Sequence, residues 1–410
     1  MMQAYILNTD DVISPFMRPA REMRVHNVPL GSWLATTLGS LGCEVEWIDS
    51  VEQIRKFPAL VVHDNLFATH RALKSFLQQA RQAGGNHRAA LESSLLTEHM
   101  VPALQGPLFD GAGGKSVRAY DGYYLEKLDA TQRLDQQACL LPIAHRVRLR
   151  RFRTNRQFEE SRRFAVPLSS VYMTPVRHWA SVLAANVLGM PGFFLHTARR
   201  RWLSVALLPF VAACRSQSLS PGWWRAKTYL SGRKCNVAAS AHVEASTLGR
   251  RVRIEPQAVV RNSVLGDFVE IRAGAVVDGC SLGPNVIVET GSHLRGCVAE
   301  EGACIGTRFV QISMFGRECV VCPESGIADF VLRGSVRINV EGRKISSGSR
   351  YLGSCVGDNA FVGPRVEMFG GVEIPNGCQL IPHPRLTVGD VQSGLPDHIL
   401  RVDRGRRRAA

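Results

Sequence analysis

The feature that most constrains this chain is a repeat running from Leu248 to Val331. Leu248-Gly249, Leu265-Gly266 and Leu282-Gly283 open three successive units, at steps of 265 − 248 = 17 and 282 − 265 = 17. Ala299 opens the next unit 17 on, Phe315-Gly316 the one after at 16, and Leu332 follows 17 later. Within a unit, aliphatic residues recur about every six positions, as in Leu265, Ile271 and Val277 or Leu282, Val288 and Leu294. Gly, Asp, Asn and Pro punctuate the gaps. A fixed period of this kind marks a solenoid. Three six-residue steps per unit suit the triangular coil of a left-handed parallel β-helix, in which each face contributes one inward aliphatic. Each coil stacks its aliphatics on the coil below, so no coil is stable alone. β-Branched pairs such as Ile287-Val288 do not follow a 3.6-residue helical period.

With 410 residues, two or three domains are expected. The 50 basic against 35 acidic residues give a formal charge of +15, which favours anionic partners: nucleotides, sugar phosphates, acyl carriers or an acidic membrane surface. Nucleic acid fits least, because no aromatic-basic recognition motif accompanies the basic clusters. Eight of the eleven cysteines lie in or near the repeat, in slots that Ser, Ala or Val would also fit. That usage points to a reducing compartment and to cysteine as a small apolar residue, with Cys280 and Cys297 one coil apart and able to stack. Cys319-x-x-Cys322 has no second Cys or His pair at zinc spacing. Met1 leads straight into a strand-like Ala4-Tyr5-Ile6-Leu7, so no signal peptide is expected, and the location expected is cytoplasmic or membrane-peripheral.

Up to Ala165, strand and helix patterns alternate. Ala4 to Leu7, Val45 to Ile48 and Pro58 to Asn65 read as strands, and Gly31 to Gly42 as a helix. Thr69 to Ala83 is amphipathic, with Leu73, Phe76 and Leu77 on one side and Arg71, Lys74 and Gln78 on the other. Such alternation implies a small, mostly parallel α/β domain, whose ligands sit beyond the carboxyl ends of its strands. The Asn8–Asp11 loop and the His63-Asp64 pair are therefore where a site is expected. Residues 84–165 carry few signals beyond Gly111 to Gly114 and many arginines.

Residues 166–232 read as a helical linker. Trp179 to Met190 is a helix that Pro191-Gly192 is expected to end. The apolar run from Trp202 to Ala213 is 12 residues long, too short to cross a bilayer, which takes roughly 20. It is suited either to packing or to an anionic membrane surface, with Trp202, Trp223 and Trp224 as anchors. Residues 233–395 form the β-helix, capped near Ser240 to Ser246, with a loop thrown out after Leu332 and hexads resuming at Val356. Residues 396–410 are a basic tail.

Two parts of the chain resemble one family. Tyr5-Ile6-Leu7 followed by Arg18-Pro19 and Val61-Val62-His63-Asp64 is similar to the start of sugar-phosphate nucleotidyltransferases. Asn339, Gly342 and Lys344, followed by Val356-Gly357-Asp358-Asn359-Ala360-Phe361-Val362-Gly363, resemble the loop and coil of the β-helix in bifunctional N-acetylglucosamine-1-phosphate uridylyltransferase / glucosamine-1-phosphate acetyltransferases. The likeness covers roughly residues 235–395 and, more thinly, 1–80. It implies a reduced nucleotidyltransferase-like α/β domain joined through the helical linker to a left-handed β-helix of hexapeptide repeats, assembled as a homotrimer. It further implies acyl transfer from acetyl-CoA or another acyl-CoA to a sugar, sugar phosphate or nucleotide sugar. Arg18 and Asp64 would face a nucleotide, with Asp64 holding Mg²⁺ if nucleotidyl transfer is retained.

The chain departs from that pattern twice. Asn8-Thr9-Asp10-Asp11 stands where the family has a Gly-rich phosphate loop, and its two carboxylates repel phosphate. Pro323 stands where the family's β-helix carries its histidine base. His293, at a coil corner, and His383, between Pro382 and Pro384, are the substitute bases the sequence offers. Arg308, Asn339, Arg343, Lys344 and Arg365 are candidates for binding a phosphorylated substrate. Two alternatives stand beside acyl transfer: a non-catalytic module that binds a nucleotide sugar or scaffolds an assembly, and a sugar-1-phosphate nucleotidyltransferase using Asp64 and the Asp10-Asp11 pair.

Overall fold

The computed structural model describes residues 2–111, 114–129, 131–153, 163–216, 220, 224–382, 399–403 and 406–408. The chain divides into two units, Met1–Arg200 with Ser346–Ser349, and Arg201–Ile345 with Arg350–Ala410.

The first unit is built on a mixed sheet. Its strands run in the order Cys139–Ile143, His87–Glu92, Ser116–Leu125, Ala59–His63, Met2–Leu7, Cys43–Ile48, with Leu108–Asp110 added beside Ser116–Leu125. Met2–Leu7 pairs in parallel with both neighbours and is buried along its length, which explains its unbroken apolar run. Ser116–Leu125 runs antiparallel to its neighbours and makes an otherwise parallel sheet mixed. The His70–Ala83 helix buries Ala72, Leu73, Phe76, Leu77 and Ala80 and exposes Arg71, Lys74 and Gln78, the face its spacing predicts. Gly84, at φ +67°, ends it.

The Trp179–Arg200 helix does not stop at Pro191. Close packing holds it there: Gly189 lies against Phe67 and Gly192 against Thr69, each too near to admit a Cβ. Asn186 ties it further, accepting from the His26 N–H at 2.7 Å and donating to the Arg24 carbonyl at 3.0 Å. By length and composition this helix is apolar enough to cross a membrane, yet 61% of its apolar window is buried within the protein.

The second unit is a stack of coils forming three parallel sheets in a β-helix-like arrangement. On one face Leu248, Leu265, Leu282, Ala299, Phe315, Val356 and Ile374 pair in series, and on the next Ile254, Ile271, Val288, Ile305, Val321, Val362 and Leu380 do. All are buried and form one core. The Leu-Gly starts have a steric cause. A Cβ on Gly249 would come within 2.5 Å of the next coil's backbone, on Gly266 within 2.7 Å and on Gly283 within 2.8 Å. Gly266→Ala is accordingly expected to cost about 1–3 kcal/mol by overpacking. Loss of hydrogen-exchange protection across the repeat would register it.

A polar ladder runs inside one corner. Ser263 N–H donates to Ser246 Oγ, Cys280 N–H to Ser263 Oγ and Cys297 N–H to Cys280 Sγ, so the two cysteines do stack, as thiol substitutes for serine. The solenoid begins earlier than Ser240: Tyr229–Ser231 already pairs with Ser246–Leu248. Its open end is closed by Lys227, whose ammonium donates to the carbonyls of Ala239 at 2.8 Å and Ala241 at 2.7 Å.

Two irregularities matter for function. Leu294 pairs with Val310 at a step of 310 − 294 = 16, where the coil before steps 17 from Val277 to Leu294. The preceding face still steps 17, from Val288 to Ile305, so the missing residue falls in the corner spanning Gly306 to Phe309. Phe315 then pairs with Val356, a step of 41 that accommodates the expelled loop and its hairpin, Arg337–Val340 with Arg343–Ser346.

Candidate functional sites

In the first unit the carboxyl ends of Met2–Leu7 and Ala59–His63 gather a set of charged groups. Asp64, almost wholly buried, accepts from the Thr9 N–H at 3.1 Å, the Thr9 hydroxyl at 2.6 Å and Arg21 at 3.2 Å. Arg21 thus places a positive charge directly beside Asp64. No group of three His, Cys, Asp or Glu side chains placed to hold a metal occurs among the described residues. The Arg18 guanidinium lies 5.3 Å from the Phe16 ring centroid. Asp11 accepts from Asn65 and sits 3.5 Å from Arg177, so arginine offsets the loop's negative charge.

Next to this lies a second cluster. Asp121 accepts from Arg88 at 2.7 Å, Tyr123 at 3.0 Å and Arg177 at 3.3 Å, with His63 Nδ1 at 3.9 Å. Burial alone would raise its carboxyl, but His63, Arg88, the tyrosine hydrogen bond and Arg177 together hold it below the usual range. His63 is pushed down by burial, with Asp121 pulling the other way. Sequence reasoning found His63 and missed Arg21, Arg88, Asp121 and Arg177. One signal was present: Asp121 interrupts the otherwise apolar and aromatic run from Ala119 to Leu125.

In the second unit the shortened corner borders a cleft of about 630 Å³. Arg308 and Phe309 of that corner are among its lining residues. Thr307, buried in the corner, fastens it by donating to the Ser325 carbonyl at 2.8 Å. Glu324, Arg365 and Phe369 line the cleft as well. Arg308 and Arg365, from different coils, converge on Glu324 at 3.5 and 3.2 Å. All three side chains are largely exposed, so each pair is worth little, about 0–1 kcal/mol. A ligand anion with better geometry can therefore replace the glutamate at small cost. Phe369 is 76% exposed and offers an unpartnered apolar wall.

His293 stands one coil away. Its ring packs edge-on against Phe309, centroids 4.9 Å apart and planes at 87°. Burial and Arg295 lower its pKa from the ordinary 6.5, against the pull of Asp278, so the ring is neutral at pH 7. Nε2 is buried with no hydrogen-bond partner among the described residues. Pro323 immediately precedes Glu324 of the cleft. The structure thus brings Arg308 and Arg365 to one place, while His293 touches the cleft wall through Phe309 and is not itself among the lining residues. Asn339, Arg343 and Lys344 lie exposed on the expelled hairpin and are not among the cleft's lining residues. His383 and Trp223 lie outside the described residues.

No protein-family model and no curated protein matches this chain.

Proposed function

We propose that the chain is a transferase of the left-handed hexapeptide-repeat kind, carrying an acyl group from an acyl-CoA to a sugar, sugar phosphate or nucleotide sugar. The observation that carries this reading is the convergence of Arg308 and Arg365 on Glu324 in the short-corner cleft, beside Phe309, on which His293 packs. Guanidinium groups are suited to phosphate, and the exposed phenylalanines to the flat or apolar parts of a phosphorylated carrier. Neutral His293 is the proposed base, acting through Nδ1 because Nε2 is buried. It takes the proton from the acceptor amine or hydroxyl as the acceptor nitrogen or oxygen bonds to the thioester carbonyl carbon. The C–S bond breaks, and the imidazolium returns the proton to the departing thiolate. The proposal includes a homotrimer, in which a neighbour's coil edge would close the open side of the cleft.

Titration of coenzyme A into the full-length protein tests the site. Binding is expected, with Arg308→Ala and Arg365→Ala each weakening it by about tenfold or more, the scale of a lost charge-assisted hydrogen bond. No binding, or affinity unchanged in both variants, would remove the cleft from the account.

One observation favours a second reading, a non-catalytic module that holds a nucleotide sugar or scaffolds an assembly. Asp64 is already occupied by Thr9 and Arg21, as suits a unit that folds around its carboxylate rather than one that turns over. Nucleotidyl transfer gains no support from that environment.

A further inference from the structure

From Ser161 to Val243 the sequence contains no aspartate or glutamate, although the whole chain has 35. The same stretch holds eleven arginines and lysines. Within it lie two consecutive short helices of the second unit, Trp202–Ala206 and Leu208–Ser216. Hydrogen bonds of the i to i−4 kind carry the helical path between them, from Val205 to Arg201, Leu207 to Leu203 and Val211 to Leu207, at 3.0 Å each. Leu203, Leu207 and Phe210 therefore fall at i, i+4 and i+7, on one face.

That face is open. Leu203 and Leu207 are each 59% exposed, Trp202 64% and Phe210 71%. The C-terminal part of the segment is anchored to the second unit. Ala212 is buried, and Arg215 stacks on Tyr229 at 4.0 Å while donating to the Tyr229 carbonyl at 2.8 Å. A helical segment anchored at its C-terminal end, with four large apolar side chains turned outward, is not ordinary solvated surface. Immediately before it in sequence stands the exposed run Arg199-Arg200-Arg201.

We propose that the Arg201–Ser216 segment seats the protein on an anionic lipid bilayer. Trp202, Leu203, Leu207 and Phe210 enter the boundary between headgroups and acyl chains, and Arg201 meets lipid phosphate. Charge decides between a bilayer and a second copy of this chain. A symmetric contact would set two copies of this basic segment together, and the segment itself supplies no carboxylate, since none occurs between Ser161 and Val243. An anionic bilayer supplies that offset.

Flotation of the full-length protein with vesicles is the test. Binding is expected to vesicles of equal parts phosphatidylcholine and phosphatidylglycerol, not to phosphatidylcholine alone, and to weaken as salt is raised. The double variant Trp202→Ser, Phe210→Ser is expected to lose about tenfold or more in binding. Its melting curve should be unchanged, because both side chains are already exposed. Absence of binding to the anionic vesicles, or equal binding by the double variant, would overturn the proposal. So would self-association of the wild type that the double variant abolishes without any vesicle binding, which would make the face a protein interface.

Discussion

Replacing Asp121 with alanine is expected to destabilise the first unit by about 3–5 kcal/mol, the cost of leaving a buried charge without its partner. Arg88 is the charge left behind: its side chain is 8% exposed and its terminal nitrogen lies 2.7 Å from Asp121. Tyr123 and Arg177 lose an acceptor at the same time. Because the carboxyl's folded pKa lies below its unfolded value, its stabilisation is present above the unfolded pKa, near 4, and is lost as pH falls through the folded one. The penalty of the alanine variant should therefore be full at pH 7 and shrink in acid. Hydrogen exchange of the Met2–Leu7 and Ala59–His63 strands reads this unit separately from the solenoid. An alanine variant as protected as the wild type at pH 7 would show that the network contributes nothing.

The second large effect is expected at His293. If it is the base, His293→Ala lowers kcat for acyl transfer by about 10²–10⁴-fold, the usual contribution of general base catalysis. Its lowered pKa fixes the sign of the pH dependence. Only the neutral ring accepts a proton, so kcat/KM rises as pH climbs through the folded pKa, and its acid limb lies below the ordinary 6.5 rather than at it. A limb above 6.5 would point to another group. His293→Phe, which keeps an aromatic ring against Phe309 but supplies no base, separates loss of chemistry from loss of the Phe309 contact.

The solenoid was the most legible part of the chain, because each repeat states its own register: Leu265, Ile271 and Val277 sit inward on three faces as their six-residue spacing requires. Even the unit that comes one residue early was readable, though not its consequence. A deletion announces itself in sequence, but whether it borders a cleft depends on the corners of neighbouring coils. The pairing of Arg308 and Arg365 across Glu324 was hidden for a similar reason. The expelled hairpin separates Glu324 from Arg365 in sequence yet leaves their coils stacked. The α/β unit was legible where periodicity was strong, as in the His70–Ala83 helix. Its antiparallel Ser116–Leu125 strand, and with it Asp121, lay in a stretch with no clear period. Pro191 misled because proline's local penalty was outweighed by the packing of Gly189 and Gly192.

The most direct test of the account is acceptor-dependent release of free thiol from acetyl-CoA by the full-length protein, across a panel of sugars, sugar phosphates and nucleotide sugars. Release is expected with at least one acceptor class, and is lost in His293→Ala while the melting curve is retained. Release that persists undiminished in that variant, or no release from any acyl-CoA with any acceptor, would contradict it.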